Sequence, residues 1–131
     1  MLRPRILVVD DLPSKLAYLA GLARSARPNA KVITATSGQQ AEEMIDLLGK
    51  DGIDGGVIDF DLGSGMHGGD VINALRRKNP LACITLATAR RDACFTEEAA
   101  PIAMAGGAND ALSIYQKDFE SRLAGVLTLA A

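Results

Sequence analysis

The sequence predicts an α/β fold, a doubly wound (βα)5 domain with a parallel five-stranded sheet. Five apolar segments of strand length begin near residues 5, 31, 56, 83 and 109. They recur at intervals of roughly 25 residues, which is enough for one strand and one crossover helix. The first and third segments are almost continuously apolar, as is typical of strands that helices cover on both faces.

The segments between the strands carry helical patterns. Two of them have apolar residues at the i, i+3, i+4, i+7 spacing of an amphipathic helix, namely Leu16, Leu19, Ala20, Ala23 and Ala41, Met44, Ile45, Leu48. Ser37 and Gln40 have capping-box spacing before the second set, and Gly49 lies where a helix C-cap is expected. These patterns predict the first two helices and the bounds of the second.

The last three helices are predicted from charges and shorter patterns. A helix over residues 69–78 begins near Asp70 and ends in basic residues before a proline, which suits both ends of the helix dipole. Thr96 is the expected cap of the fourth helix, which Pro101 should kink or delay. The closing helix is predicted from the apolar set Phe119, Leu123, Val126.

Length and composition favour one compact domain over residues 1–131 and narrow the function classes. Apolar residues make up 48% of the chain, enough for a hydrophobic core. A net charge of -2 and a pI near 5.3 give no general attraction to nucleic acid, so a protein partner or a small ligand is expected.

The N-terminal apolar run is too short for a signal peptide or a membrane span, so the expected location is cytoplasmic. Cys83 and Cys94 have neither disulfide-framework nor metal-ligand spacing and are expected to be free thiols.

Acidic residues lie at the ends of two predicted strands. Asp10 and Asp11 follow the first strand, Asp59 and Asp61 lie at the end of the third, and Thr88 ends the fourth. Ligands bind beyond the carboxyl ends of the strands in open parallel sheets. Grouped carboxylates repel one another unless a divalent cation neutralises them, and all-oxygen ligands favour Mg²⁺. The sequence therefore predicts a magnesium site beside a carboxylate that could be phosphorylated.

Four segments, in order, resemble the receiver-domain family of two-component response regulators: RILVVDD, VIDFDLGSGMHGGDVINALRR, ITLATA and GGANDALSI. The resemblance covers essentially the whole chain and implies the flavodoxin-like strand order 2-1-3-4-5. It implies that a sensor histidine kinase or a histidine phosphotransfer protein donates a phosphoryl group, and that the modification alters a contact with a downstream protein. Such a domain catalyses at most its own phosphorylation and dephosphorylation, so no separate enzyme activity is expected.

The resemblance also implies roles for individual residues. Asp59 matches the phosphoacceptor, and Asp10 and Asp11 match the acidic pair that binds the metal. The backbone carbonyl of Asp61 matches the third metal ligand. Thr88 matches the hydroxyl that contacts the phosphoryl group.

Two of the departures from the family pattern concern the segment around the fifth strand. Ile114 stands where a lysine that contacts the phosphoryl group is expected, and Ala111 stands where an aromatic residue usually moves with the threonine. Lys117 is the only nearby substitute in sequence, and it could reach the pocket only if residues 115–117 fold back. These departures predict that phosphorylation survives while its structural consequence weakens.

Other functions are compatible with parts of the sequence. A degenerate receiver would bind its partner without phosphorylation, and the domain could form a homodimer. The segment DFDLG is similar to the nucleophile motif of haloacid-dehalogenase-type phosphatases, in which Asp61 would be the general acid. Gly63, Gly65 and Gly68 spell a dinucleotide-binding pattern, although the aspartates just before them would repel a pyrophosphate.

Several residues also have simpler structural interpretations. Asp10 or Asp11 could merely cap the first helix. His67 is expected to be an exposed loop histidine, because the chain has no second histidine to share a metal. The basic residues at the end of the third helix are expected to be a solvated helix end, and Arg90 with Arg91 to lie in a loop that could contact an acidic partner. Neither set is assigned to nucleic acid.

Overall fold

The computed structural model describes residues 3–63 and 65–130, so the predicted domain includes four residues outside the described part, Met1, Leu2, Ser64 and Ala131. Five strands form one sheet: β1 (Arg5–Val9), β2 (Lys31–Ala35), β3 (Gly55–Ile58), β4 (Cys83–Thr88) and β5 (Asp110–Ser113). All neighbouring strands are parallel, in the order β2-β1-β3-β4-β5. The predicted fold class and strand order are confirmed.

Helices cover both faces of the sheet. They are α1 (Pro13–Ala26), α2 (Gly38–Leu48), α3 (Gly68–Lys78), α4 (Ala100–Gly106) and α5 (Phe119–Leu127). The sheet separates two hydrophobic clusters. Val57 of β3 packs in the cluster that contains buried residues of α1 and α5, and the adjacent Ile58 packs in the one formed with α2, α3 and α4. Because successive strand residues serve opposite clusters, the central strands are apolar on both faces.

The bounds of α2 follow the predicted capping signals. The Gln40 backbone N–H donates to Ser37 Oγ at 3.0 Å, and Gly49 ends the helix with a φ of 75°. The Gln40 side chain departs from a full capping box, because its Oε1 accepts a hydrogen bond from the Thr36 backbone N–H at 2.7 Å. Both predicted ends of α2 are confirmed.

α3 begins one residue earlier than predicted, and its N-cap is His67. The Gly69 backbone N–H donates to His67 Nδ1 at 3.0 Å, and the His67 backbone N–H donates to the Asp70 carboxylate at 3.2 Å. His67 is exposed, as predicted, but it also satisfies the first turn of a helix instead of lying free in a loop.

The fourth helix differs most from the prediction. Helical residues begin at Asp92, a π-helical turn spans Cys94–Ala99, and α4 continues from there. Thr96 is therefore not the cap, because it lies inside the π-helical turn and its hydroxyl donates to the Asp92 carbonyl at 3.0 Å. Pro101 has no N–H to donate, so it fits at the start of α4, where the hydrogen-bonding register changes from π to α.

The closing helix and the two cysteines are close to expectation. α5 buries Phe119 and Leu123 as predicted, and Leu127 instead of Val126. Both cysteines are free thiols, with Cys83 buried and Cys94 exposed. Within residues 3–63 and 65–130, no helix has the length and apolar character needed to cross a membrane.

The junction between β3 and α3 requires a glycine at position 68. A Cβ on Gly68 would lie 2.0 Å from the backbone oxygen of Asp59 and 2.8 Å from the Phe60 Cα. The close approach is fixed because the Gly68 N–H donates to the Phe60 carbonyl at 2.8 Å. The start of α3 is therefore held directly against the residues that end β3.

Gly68→Ala should lower the free energy of unfolding by roughly 2 kcal/mol or more, because the backbone must move to relieve the overlap. Gly21→Ala is the matched control, since Gly21 lies inside α1 and, apart from its chain neighbours and the adjacent α1 backbone, no atom would lie within 4 Å of its Cβ. Alanine there should stabilise the domain by roughly 0.5–1 kcal/mol. Urea denaturation followed by circular dichroism measures both changes, and a Gly68→Ala variant as stable as the parent would contradict the close approach.

Candidate functional site

The predicted acidic residues meet at the carboxyl ends of β1 and β3. These strands are neighbours, with Val9 paired in register with Ile58. The Asp59 backbone N–H donates to the Val9 carbonyl at 2.9 Å, which continues the pairing one residue beyond β3. Asp10 and Asp59 therefore follow adjacent strands at one edge of the sheet, the place where parallel α/β folds bind ligands.

Asp10, Asp11 and Asp59 form an acidic cluster. Each offers a carboxylate oxygen, and the three oxygens lie within 4.8 Å of one another. Asp10 is fully buried and Asp59 is only 4% exposed, whereas Asp11 is exposed to solvent. Burial of two of the three groups strengthens their mutual repulsion, because water screens it less.

Neither aspartate of the pair after β1 is a side-chain cap of α1. The N-cap residue is Leu12, which makes no side-chain capping hydrogen bond. Asp10 Oδ1 accepts a hydrogen bond from the Leu12 backbone N–H at 3.0 Å. The simple capping interpretation is therefore wrong for both residues, because the one backbone hydrogen bond that Asp10 accepts lies in the turn before α1.

The predictions from sequence omit Lys15, which the structure places inside the acidic cluster. Its Nζ lies 2.9 Å from Asp10 Oδ2 and 3.0 Å from Asp59 Oδ1, and 9% of its side chain is exposed. Lys15 follows Asp11 by four residues and lies in the first turn of α1. Asp10 and Lys15 are five residues apart and Asp10 precedes α1, so the i, i+4 spacing of helical ion pairs does not mark this contact in the sequence.

The surroundings of Asp59 change its acidity. Burial raises the pKa of Asp59 from 3.8 to about 6, and the charge of Asp10 acts in the same direction. Lys15 opposes this rise in pKa, as does the Phe60 backbone N–H, which donates to Asp59 Oδ1 at 2.8 Å. A carboxyl group with a pKa raised by desolvation beside specific charge partners is typical of a functional site.

The donor set fits a hard divalent cation such as Mg²⁺. The three candidate ligands are all carboxylate oxygens, which Mg²⁺ prefers to nitrogen or sulfur. Asp10 Oδ2 is buried and accepts no hydrogen bond from the described residues, and its contact with Lys15 is an ion pair without hydrogen-bonding geometry. A buried carboxylate oxygen in this state is stabilised by a cation. Asp10, Asp11 and Asp59 could therefore hold Mg²⁺.

Thr88 lies at the end of β4, beside β3, and is fully buried. Its Oγ1 accepts a hydrogen bond from the Arg90 backbone N–H at 3.2 Å. This contact uses the hydroxyl as an acceptor, so its hydrogen stays available for donation. The loop after β4 thus holds a buried donor at the same edge of the sheet as the acidic cluster.

The Asp61 side chain is bound by Arg90. The Arg90 guanidinium donates to both carboxylate oxygens of Asp61, each at 2.9 Å, and to Glu98 at 2.9 Å. It also lies over the Phe60 ring, 4.7 Å from the ring centroid. Bidentate pairing of this kind fixes the carboxylate. It disfavours Asp61 as the general acid of a phosphatase, because the carboxylate is already paired.

The end of β5 contributes no positive charge to the cluster. Ile114 packs against the hydrophobic cluster shared by α1 and α5, and its N–H donates to the Thr88 carbonyl at 2.9 Å. Lys117 is exposed, and among residues 3–63 and 65–130 the cation paired with Asp59 is Lys15. The ammonium group beside Asp59 therefore comes from α1. The sequence analysis considered only position 114 and Lys117 as sources of such a group.

Comparison with known sequences identifies one family. A family model for the response regulator receiver domain matches residues 6–122. This match runs from β1 into α5 and includes the whole acidic cluster. A search of curated proteins gives no significant match.

Solved structures share the fold over nearly the whole chain. A response regulator receiver domain protein from Clostridium thermocellum has a TM-score of 0.76 and 21% identity, covering 97% of this chain and 93% of that chain. A response regulator from Burkholderia pseudomallei, solved with a phosphorylated aspartic acid, a calcium ion and citrate, has a TM-score of 0.72 and 27% identity, covering 97% and 68%. The BeF3-activated DrrB receiver domain has a TM-score of 0.71 and 19% identity, covering 98% and 97%.

The raised pKa of Asp59 predicts a pH-dependent stability in the metal-free protein. The unfolded chain keeps the ordinary pKa of 3.8, so between that value and about 6 the folded state binds more protons than the unfolded state. The free energy of unfolding contributed by this group should therefore fall as the pH rises through that window. The total fall should be about 3 kcal/mol, and urea denaturation at a series of pH values with a chelator present measures it.

Asp59→Asn is the control for this pH dependence, because it removes the titrating group and keeps the size of the side chain. The variant should be more stable than the parent at about pH 8, and the two stabilities should converge near pH ~4. Other carboxyl groups titrate in both proteins, so the difference between the two curves isolates Asp59. If the free energy of unfolding of the parent rose relative to that of the variant as the pH increased, the raised pKa of Asp59 would be contradicted.

Proposed function

The chain belongs to the response regulator receiver domain family, and on that premise we propose that it accepts a phosphoryl group on Asp59 in two-component signalling. The observation that carries the proposal is the cluster of Asp10, Asp11 and Asp59 at one edge of the sheet. The proposed donor is a phosphohistidine of a sensor histidine kinase or of a histidine phosphotransfer protein. The modification would alter a contact with a downstream protein.

Asp59 supplies the nucleophile in this proposal. One carboxylate oxygen attacks the phosphorus of the phosphohistidine, an O–P bond forms as the P–N bond breaks, and the imidazole leaves with the bonding electron pair and takes up a proton. Oδ1 of Asp59 already accepts the Phe60 N–H and pairs with Lys15. These contacts favour Oδ2 as the attacking oxygen.

Asp10, Asp11, Asp59 and the backbone carbonyl of Asp61 are the proposed ligands of Mg²⁺. When bound, Mg²⁺ screens the negative charge of the incoming phosphoryl oxygens. The Leu12 N–H donates to Asp10 Oδ1, so the oxygen of Asp10 proposed as the metal ligand is the buried Oδ2, which Mg²⁺ would take over from the Lys15 ammonium.

Thr88 is the proposed hydroxyl contact of the phosphoryl group. It can donate to a phosphoryl oxygen and still accept the Arg90 N–H. Any movement of Thr88 toward that oxygen would pull on Arg90, whose guanidinium holds Asp61 and Glu98. Phosphorylation would thereby change the loops that follow β3 and β4, and we propose that the downstream protein binds there.

A second candidate is a degenerate receiver that binds its partner without phosphorylation. Ile114 favours it, because an aliphatic residue packed on the α1 and α5 cluster supplies no charge for a phosphoryl group. The two functions differ in one measurable respect, whether Asp59 can be modified.

Treatment with acetyl phosphate and Mg²⁺ should add about one labile phosphate per chain, as carboxylate nucleophilic chemistry requires. Intact-mass measurement detects the adduct. Asp59→Asn should abolish it. Asp61→Asn is the matched control, because it changes the neighbouring acidic residue and keeps the backbone carbonyl proposed for metal binding, so it should be modified like the parent.

Each outcome of this experiment separates the candidates. An Asp59→Asn variant modified as fully as the parent would show that another residue accepts the phosphoryl group. A parent that stays unmodified, under conditions that modify another receiver domain, would favour the phosphorylation-independent function. Repeated release of phosphate from the donor, with a rate lost in Asp61→Asn, would favour the phosphatase interpretation instead.

A further inference from the structure

Lys15 occupies a position where the helix dipole and burial both disfavour a lysine. It is in the first turn of α1, beside the positive end of the helix dipole, and its side chain is 9% exposed. A buried ammonium loses much of its hydration. Because both effects oppose a cation here, the attraction of the acidic cluster must offset them. A residue that conflicts with the preference of its helix position in this way is typical of functional sites.

The Lys15 ammonium touches the proposed nucleophile directly. Its Nζ bridges Asp10 Oδ2 and Asp59 Oδ1 at 2.9 and 3.0 Å. The other cation near this edge, Arg90, is occupied by Asp61 and Glu98. Within the described ranges, Lys15 is therefore the lysine or arginine that pairs with the carboxylate to be modified.

Phosphorylation changes what the ammonium faces. Before transfer, Asp59 is a carboxylate with a single negative charge. After transfer, the carboxyl group is part of an acyl phosphate, a mixed anhydride, and the attached phosphoryl group carries about two negative charges. The negative charge of the cluster therefore grows, and its centre moves from the carboxylate oxygens to the phosphoryl oxygens.

We propose that Lys15 is the phosphoryl-binding ammonium of this domain, donating to a phosphoryl oxygen once Asp59 is modified. The proposal rests on the proposed function of Asp59 and names a further residue of that site. In the unmodified protein the same ammonium competes with the divalent cation, because both use Asp10 Oδ2 and the Asp59 carboxylate. Lys15 thus weakens the binding of the metal when no anion is present. It strengthens the binding of the phosphoryl group when the metal is bound.

This dual contact predicts effects of opposite sign when the charge is removed. Lys15→Met keeps the length and apolar stem of the side chain and removes the ammonium. Mg²⁺ alone should bind roughly threefold tighter or more, because a positive charge next to its ligands is lost. Beryllofluoride, an anion that mimics a phosphoryl group on a carboxylate, should bind at saturating Mg²⁺ roughly tenfold weaker or more, because a charge-assisted contact is lost.

The experiment uses the full chain with two titrations. Mg²⁺ is titrated first without anion and followed by amide chemical shifts, and beryllofluoride formed from beryllium chloride and sodium fluoride is then titrated at saturating Mg²⁺ and followed by fluorine NMR. Lys117→Met is the matched control, since Lys117 is exposed and lies just after β5. It should change neither affinity. Lys15→Gln replaces Lys15→Met if the methionine variant does not fold, as judged by circular dichroism.

Opposite changes in the two affinities support the proposal, and every other combination overturns it. Weakening of both would indicate a structural role for Lys15, and strengthening of both would make it a competitor of the metal only. Anion binding lost in Lys117→Met would transfer the contact to that lysine. A parent protein that binds no beryllofluoride at saturating Mg²⁺ would overturn the proposed function of Asp59 itself. This failure is distinct from a failure of the Lys15 proposal, because it is observed before any residue is substituted.

Discussion

Repulsion among carboxylates that the parallel sheet brings to one edge is the constraint on which the site depends. β1 and β3 are adjacent and end together, so Asp10 and Asp59 are buried side by side, with Asp11 close to both. Burial removes the water that would otherwise screen them. Groups of positive charge or partial charge offset this repulsion. The Leu12 N–H donates to Asp10, the Phe60 N–H donates to Asp59, and the Lys15 ammonium lies between these two carboxylates.

The same constraint explains the local departures from ordinary helix and turn preferences. α1 has a lysine and no acidic residue in its first turn, the reverse of what its dipole favours, because the carboxylates beside it outweigh the dipole. A separate, steric constraint acts at position 68, which must be glycine because the start of α3 lies against the Asp59 backbone. The ion pair of Arg90 with Asp61 keeps the fourth nearby carboxylate occupied outside the cluster.

Sequence reasoning succeeded where local pattern and tertiary structure agree. Strand length, spacing and apolar content located all five strands, and strand ends located Asp10, Asp11 and Asp59, because parallel strands must present their carboxyl ends together. Sequence reasoning failed where the position of a side chain or the start of a helix depends on tertiary packing. The role of Lys15 depends on how α1 is rotated over the sheet, and the start of the fourth helix depends on a π-helical turn before Pro101 that no capping signal marks.

The origin of the ammonium determines which part of the domain would respond to a phosphoryl group. A cation at position 114 would have coupled that group to β5, whereas Ile114 packs on the apolar cluster beneath α1 and α5. Lys15 belongs to α1, and α1 contacts α5 through Tyr18, whose hydroxyl donates to Glu120 at 2.7 Å and whose ring stacks on Phe119. If Lys15 follows the phosphoryl oxygen, its displacement acts on α1 and passes to α5 across this contact. By this route the response would reach α1 and α5, in addition to the loops after β3 and β4 that Thr88 and Arg90 would move, without any charged residue at the end of β5.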